Sequence, residues 1–262
     1  MESPLTLDQL EAIRTLGTCN VANAIETFNV RLRNEGFASG RSIRCMFEEL
    51  PPMLGYAVTA RIRSSAPPIA SSFPPPGPQR LTFADRDDWW QYVLSIPPPR
   101  VVVMQDVDPS PGLGAFLGDV HASICQGLGC VGYVTNGAVR DLEVVRRSGF
   151  HFFAGHVSVS HAYAHIIDFG EAVDIGGMRV RPGDMVHGDR CGVQTIPLKI
   201  AAEIPAVAAC LAEKERKIIE YCHSPEFTLK GLRVFVKEIE RLMPCEPATV
   251  NKERNIGDHD RR

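Results

Sequence analysis

In YVTNGAVRDLEVV (residues 133–145) an arginine and an aspartate stand side by side, Arg140 and Asp141. Charged neighbours in a chain usually point apart into solvent. Here an apolar strand is expected to stop at Asn136-Gly137 and a helix to begin just after the pair. Twenty-one positions before Arg140 lies Asp119, in GLGAFLGDVH (residues 112–121). One helix and one returning strand take up about that length, so Asp119 and the Arg140-Asp141 pair are expected to meet at one sheet edge, where α/β sheets bind ligands. Each group there has a job it could do. The amides of Gly118, Asp119, Val120 and His121 would open a helix and favour an anion such as a carboxylate. Arg140 offers a rigid fork for carboxylate or enolate oxygens. Asp141 is a hard oxygen ligand suited to Mg²⁺ or Mn²⁺, ions that keep several waters. Asp119 could hold such a water and steer proton transfer.

Blander readings stand beside these. Asp141 could be a helix cap, and Asp119 a first-turn acid favoured by the helix dipole. The glycine spacing of GLGAFLG does not match a dinucleotide fingerprint. His121, Cys125 and Cys130 loosely permit zinc, but no second pair completes a site. His156, His161 and His165, in HVSVSHAYAH, could select a substrate, bind a second metal, or be partly buried polar residues.

The surrounding elements must hold these groups in place. TLDQLEAIRTLG reads as a helix capped by Thr6, and TCNVANAIETF as a second. GYAVTARIR alternates as a strand does. SSAPPIASSFPPPGPQR is too rich in proline and serine for regular structure, and reads as a disordered loop or a semi-rigid lid. FADRDDWWQYVLSI is the next helix. RVVVMQDV and CVGYVTNG are continuous apolar runs, as in strands covered on both faces. With the helices DVHASICQGLG and RDLEVVRRSG between and after them, they predict parallel βαβ units. From residue 155 to 197 the pattern turns to antiparallel hairpins, with turns at Gly176-Gly177, Pro182-Gly183 and Asp189 to Gly192. Long helices are expected over 197–222 and 225–243. The expected organisation is one domain over 1–246, with a proline-rich loop at 64–82 and a flexible tail at 247–262.

Composition narrows the function. A chain of 262 residues with a formal charge of −3 gives no reason to expect nucleic-acid binding. No apolar run approaches the roughly 20 residues that span a bilayer. The amphipathic, acidic start does not read as a signal peptide. A cytoplasmic protein is expected, its eight cysteines reduced and mostly buried.

The segment LGDVHASICQGLGCVGYVTNGAVRDLEVVRRSGFHFFAGHVSVS resembles the core of the family of 4-hydroxy-4-methyl-2-oxoglutarate aldolases and regulators of ribonuclease activity A. The likeness extends from TLGTCNVANAIE to GGMRVRPGDMVHGDRCGVQTIP, most of the chain. Its most specific element is an aspartate, twenty residues, then Arg-Asp, met by Asp119, Arg140 and Asp141. This pattern is associated with the aldolase branch; the regulator branch usually has glycine at the first position. The resemblance implies an α/β fold of the swivelling β/β/α type, with central parallel βαβ units, an antiparallel part and flanking terminal helices. It implies a homotrimer, or a hexamer built from trimers, with sites between subunits. Asp141 would hold a divalent metal, and Arg140 with Gly118 to His121 the substrate. The chemistry implied is retro-aldol cleavage of a 4-hydroxy-2-oxo acid to pyruvate, with oxaloacetate decarboxylation through the same enolate. A non-catalytic protein-binding regulator and a metal-assisted hydrolase of a related oxo acid are the alternatives. Two features depart from the family: Asn23 stands where an aspartate is common, and the proline-rich insertion is unusual.

Overall fold

The computed structural model describes residues 3–40, 42–67, 87–245 and 247. Most of the proline-rich stretch, and the tail beyond 247, lie outside them. In chain order the elements are α1 (Leu7–Arg14), α2 (Thr18–Thr27), β1 (Phe37–Ala38), β2 (Arg44–Cys45), β3 (Met53–Arg63), α3 (Asp87–Ser95), β4 (Arg100–Asp106), β5 (Ala115–Leu117), α4 (Asp119–Gly127), β6 (Cys130–Val139), α5 (Leu142–Ser148), β7 (His151–Val157), β8 (His165–Phe169), β9 (Val173–Ile175), β10 (Met178–Val180), β11 (Met185–Asp189), β12 (Gly192–Ile196), α6 (Leu198–Ala201), α7 (Ile204–Cys222) and α8 (Leu229–Leu242). They gather into two compact units: Met1–Thr18 with Asn34–Leu198, and Cys19–Arg33 with Lys199–Arg262.

The first unit is built on a mixed sheet, ten-stranded among the described residues, in the order β1-β12-β11-β3-β4-β6-β7-β2, with β5 beside β6 and β8 beside β3. Strands β3, β4, β6 and β7 run parallel, and β11, β12, β1, β2 and β8 pair antiparallel. The expected parallel centre and antiparallel remainder are therefore both present. The run Val101-Val102-Val103 is fully buried, which is why it carries no polar alternation. On one face, the hairpin of β9 and β10 sets Val173, Ile175, Met178 and Val180 into one core with Val101, Val103, Val134, Phe153 and Val186. Each such side chain contributes about 1.5–3 kcal/mol when taken from water. Gly176 and Gly177 turn that hairpin with φ of 58° and 87°, a region glycine enters without steric cost.

One expectation at the sheet's centre is corrected. Strand β6 does not stop at Asn136-Gly137. It pairs with β4 through Thr135, shifts register, and resumes at Ala138 and Val139 beside β5 and β7. Asn136 makes the shift possible by standing in for backbone: its Nδ2 donates to the Asp106 carbonyl at 2.9 Å, and its Oδ1 accepts from the Asp106 amide at 2.8 Å. Gly137 fits because a methyl there would come within 3.0 Å of Asp106 Cβ. The bulge re-aims the end of the strand.

At the N-terminus, Thr6 caps α1 as expected, and with Gln9 it forms a reciprocal capping box. Asp189, at the end of β11, accepts from the Thr18 amide at 2.8 Å, the Thr18 hydroxyl at 2.6 Å and the Cys191 amide at 2.8 Å. Burial alone would raise its pKa; these bonds hold it lowered.

The second unit corrects two further expectations. The helix foreseen over 197–222 is broken at Ala202-Glu203. Pro205, at the start of α7, has no amide to continue a preceding turn. Likewise α8 begins at Leu229, behind a Thr228 hydroxyl that accepts from the Gly231 amide at 3.0 Å, and not at Pro225. The cysteines are also not all reduced or mostly buried. Cys210 and Cys245 form a disulfide, and of the free thiols Cys19, Cys191 and Cys222 are exposed. A separation of 35 residues leaves no local spacing to reveal the pair. Tyr221 stacks on Phe235 at 4.7 Å, tying α7 to α8, and Asn23 donates to Glu215 at 3.3 Å. Among the described residues, no helix is long and apolar enough to cross a membrane.

Candidate functional site

The elements that carry the charged residues converge beyond the β6 bulge. Leu117 ends β5 and its carbonyl accepts from the Arg140 amide at 3.2 Å, so main-chain pairing holds Gly118 against the Arg140-Asp141 pair. The contact is close: a methyl at position 118 would lie 2.4 Å from Asp141 Oδ2 and 3.0 Å from Arg140 Cγ. Asp141 Oδ2 accepts from Arg140 Nε at 3.0 Å and from the Asp119 amide at 3.4 Å. Adjacent in sequence, the two charges nonetheless turn toward each other.

The backbone explains how. Asp141 occupies the N-cap position of α5 in a left-handed conformation, φ 55° and ψ 36°, and its side chain makes no cap hydrogen bond. A non-glycine residue held there costs about 1–3 kcal/mol and needs its surroundings to enforce it. The cap reading of Asp141 is thereby set aside: its carboxylate turns to the start of α4. Asp119 is the first residue of α4, behind Gly118 at the N-cap. Its own carboxylate accepts from the Val120 amide at 2.7 Å, so Asp119 reaches Asp141 by its backbone N–H. Of the four amides expected to face an anion, those of Asp119 and Val120 thus already meet carboxylate oxygens. The Val120 side chain is exposed.

The donor set discriminates between metals. Among the described residues, no three His, Cys, Asp or Glu side chains gather as a metal group. The zinc reading of His121, Cys125 and Cys130 therefore finds no support. Magnesium and manganese ask less of the protein, one or two carboxylates with waters completing the shell. Both hydrogen bonds to Asp141 fall on Oδ2, leaving Oδ1 without one among the described residues. The corner therefore fits a hard, mostly hydrated cation.

Two rings lie on the elements that flank Gly118, Phe116 on β5 and His121 on α4. The Phe116 ring lies 5.0 Å from the His121 imidazole. Burial, and then the neighbouring charge of His161, push the His121 pKa down to about 4, leaving it neutral near pH 7. His161 Nδ1 lies 2.7 Å from the Ala115 carbonyl. A carbonyl oxygen only accepts, so Nδ1 is the donor of this pair. His156 is exposed and packs against Gly112, while His165 Nδ1 contacts the Tyr163 carbonyl at 2.6 Å. Beneath them Asp106, raised by burial, accepts from Gly112 at 2.9 Å. Asp108 takes Ser64 and Ser65 through their amides and hydroxyls at 2.5–3.0 Å. These bonds overcome burial and lower its pKa.

The structure thus brings Gly118, Asp119, Arg140 and Asp141 together, with His121 the third residue of α4. Sequence reading missed Phe116 and gave His161 no defined place. The signal for Phe116 was its two-residue offset from Gly118; none existed for the path of the loop that carries His161.

Comparison with known proteins defines the class. A family model described as "RraA-like: Aldolase/RraA" matches residues 18–194, and the chain belongs to that family. More particularly, it is 32% identical over 84 residues to the Halalkalibacterium halodurans protein named "Putative 4-hydroxy-4-methyl-2-oxoglutarate aldolase", spanning 32% of this chain and 40% of that relative's length. An uncharacterized protein of Methanocaldococcus jannaschii is 29% identical over 154 residues, 54% of this chain and 73% of its own. Two solved structures share the fold. An uncharacterized Pseudomonas syringae pv. tomato protein has a TM-score of 0.65 at 21% identity, covering 89% of this chain and 96% of its own. Streptomyces coelicolor RraAS2, described as an unusual member of the RNase ES inhibitor RraA family, has a TM-score of 0.61 at 20% identity, covering 82% and 98%.

Proposed function

We propose that this chain is a divalent-metal-dependent carbon–carbon lyase that cleaves a 4-hydroxy-2-oxo acid to pyruvate by a retro-aldol reaction and also decarboxylates oxaloacetate. The observation that carries this reading is Asp141. It is held in a left-handed conformation and its carboxylate is diverted from capping to a corner shared with Arg140 and Gly118. Arg140, a third exposed, would grip the substrate carboxylate or the enolate oxygen, giving charge stabilisation where charge develops. Remaining amides at the start of α4 add a weaker pull on the same anion. A Mg²⁺ or Mn²⁺ ion held by Asp141 would supply Lewis-acid polarisation of the 2-oxo group. Asp119 would orient a proton carrier at this corner. The aspartate at 119 favours the lyase over the regulator reading, since the regulators that this sequence resembles usually carry glycine there. The working assembly is taken to be a homotrimer or a hexamer.

The test is pyruvate release from a panel of 4-hydroxy-2-oxo acids and oxaloacetate, with and without Mg²⁺ or Mn²⁺. Asp141→Ala should abolish both reactions while leaving the circular dichroism spectrum intact; unchanged turnover would reject the assignment. A product that has gained the elements of water would instead identify a hydrolase.

A further inference from the structure

We propose that His161 is the base that takes the proton from the substrate's C4 hydroxyl, with Phe116 and His121 forming the wall that seats the C4 end. This rests on the lyase reading above and adds to it a residue that the charged corner does not contain.

Retro-aldol cleavage needs an acceptor for the hydroxyl proton. Asp141 Oδ2 is engaged by Arg140 and the Asp119 amide, and Asp119 Oδ1 by the Val120 amide. The imidazole of His161 offers a different kind of acceptor. Its Nδ1–H is committed to the Ala115 carbonyl at 2.7 Å, which orients the ring and leaves Nε2 without a hydrogen bond among the described residues. An imidazole oriented through one ring nitrogen is a common catalytic base through the other.

The loop bearing it is held firmly. Ser160 O accepts from the Ala115 amide at 2.9 Å, Ser158 N donates to Val139 O at 3.0 Å, and Tyr163 N donates to Ser64 O at 3.1 Å. Ser158 Oγ donates to Leu113 O at 2.9 Å. Ala162, the next residue, sits at φ 46°, a left-handed conformation that an alanine keeps only when its neighbours impose it. The same strand, β5, is bonded by His161 at Ala115 and leads through Phe116 to Gly118 at the Arg140-Asp141 corner. The imidazole is therefore anchored on the strand that leads, three residues on, to that corner.

The step balances. The hydroxyl proton moves to Nε2, the C4–O bond becomes a carbonyl, and the C3–C4 bond breaks with its electron pair entering the enolate. The enolate takes its C3 proton from the carrier oriented by Asp119, as in decarboxylation, and the imidazolium releases its proton to solvent, giving pyruvate and a neutral His161.

Oxaloacetate separates this proposal from the reading beneath it, because losing carbon dioxide requires no hydroxyl deprotonation. His161→Asn keeps an amide N–H for the Ala115 carbonyl but removes Nε2. Cleavage of the best 4-hydroxy-2-oxo acid should fall roughly 10²–10⁴-fold while oxaloacetate decarboxylation stays within about threefold of wild type, the latter also reporting an intact fold. Equal loss of both reactions, or of neither, overturns the role of His161 and leaves the lyase reading standing. A wild-type protein with neither reaction overturns the site reading and this one with it.

Discussion

Replacing Gly118 by alanine tests the corner without touching a charged group. Its backbone, φ −129° and ψ −157°, is ordinary extended conformation, so alanine meets no backbone strain. The cost is local. The new methyl would lie 2.4 Å from Asp141 Oδ2, and ordinary contact begins at 3.4 Å, so the carboxylate must retreat by about 1 Å. It cannot do so and keep both the 3.0 Å bond to Arg140 and the 3.4 Å bond to the Asp119 amide. A misplacement of this size costs about 10²-fold in rate, roughly 2.7 kcal/mol in the barrier. Global stability should hardly change, because losing glycine's freedom in the unfolded chain offsets about 0.4–1 kcal/mol of the local strain. Pyruvate release would be followed by coupling to lactate dehydrogenase across a Mg²⁺ titration, and stability by thermal melting. Wild-type turnover at an unshifted Mg²⁺ midpoint, in a folded variant, would refute the claim that Gly118 sets the position of Asp141.

Two further outcomes concern stability. His187 is fully buried, and burial pushes its pKa to about 4 against the opposing charge of Asp189 and a backbone interaction with Leu16. As pH falls below the ordinary value of 6.5, the unfolded chain takes up this proton and the folded one does not. The stabilisation is complete above 6.5 and drains away down to about pH 4, amounting to about 3 kcal/mol. In urea titrations across that window His187→Leu should lose about 3 kcal/mol less than wild type, and parallel losses would contradict it. Cys210→Ser/Cys245→Ser should lower stability by about 3–4 kcal/mol from the closed loop of 35 residues. Maleimide labelling in denaturant should count two more thiols after reduction than before; an unchanged count would exclude the disulfide.

What the sequence disclosed and what it hid divide along physical lines. Val101 to Val103 announce a strand buried on both faces, and Thr6 announces a helix start, because both signals are local. Asp119 and Arg140-Asp141 were placed together correctly because the length of one helix and one strand dictates where the chain returns. Asn136-Gly137 misled, since its turn chemistry is the same whether a strand ends or bulges; only the partner, Asp106, decides, and it is thirty residues away. Strand β5 is three residues inside a glycine-rich run, too short to show a period. The bond from His161 to the Ala115 carbonyl depends on that strand, so it was beyond reach as well. Pro205 was visible, but it can begin a helix as readily as break one. The Cys210–Cys245 bond depends on how two helices meet.

The corner and the wall are secured by different means. Arg140 is placed by its own amide on the Leu117 carbonyl, a bond indifferent to side-chain identity. The rings, by contrast, are side chains, Phe116 on β5 and His121 on α4. Mutation can therefore rewrite the wall, residue by residue, while the charged pair stays where the main chain puts it. A lineage built this way can vary the rings and keep the charged corner.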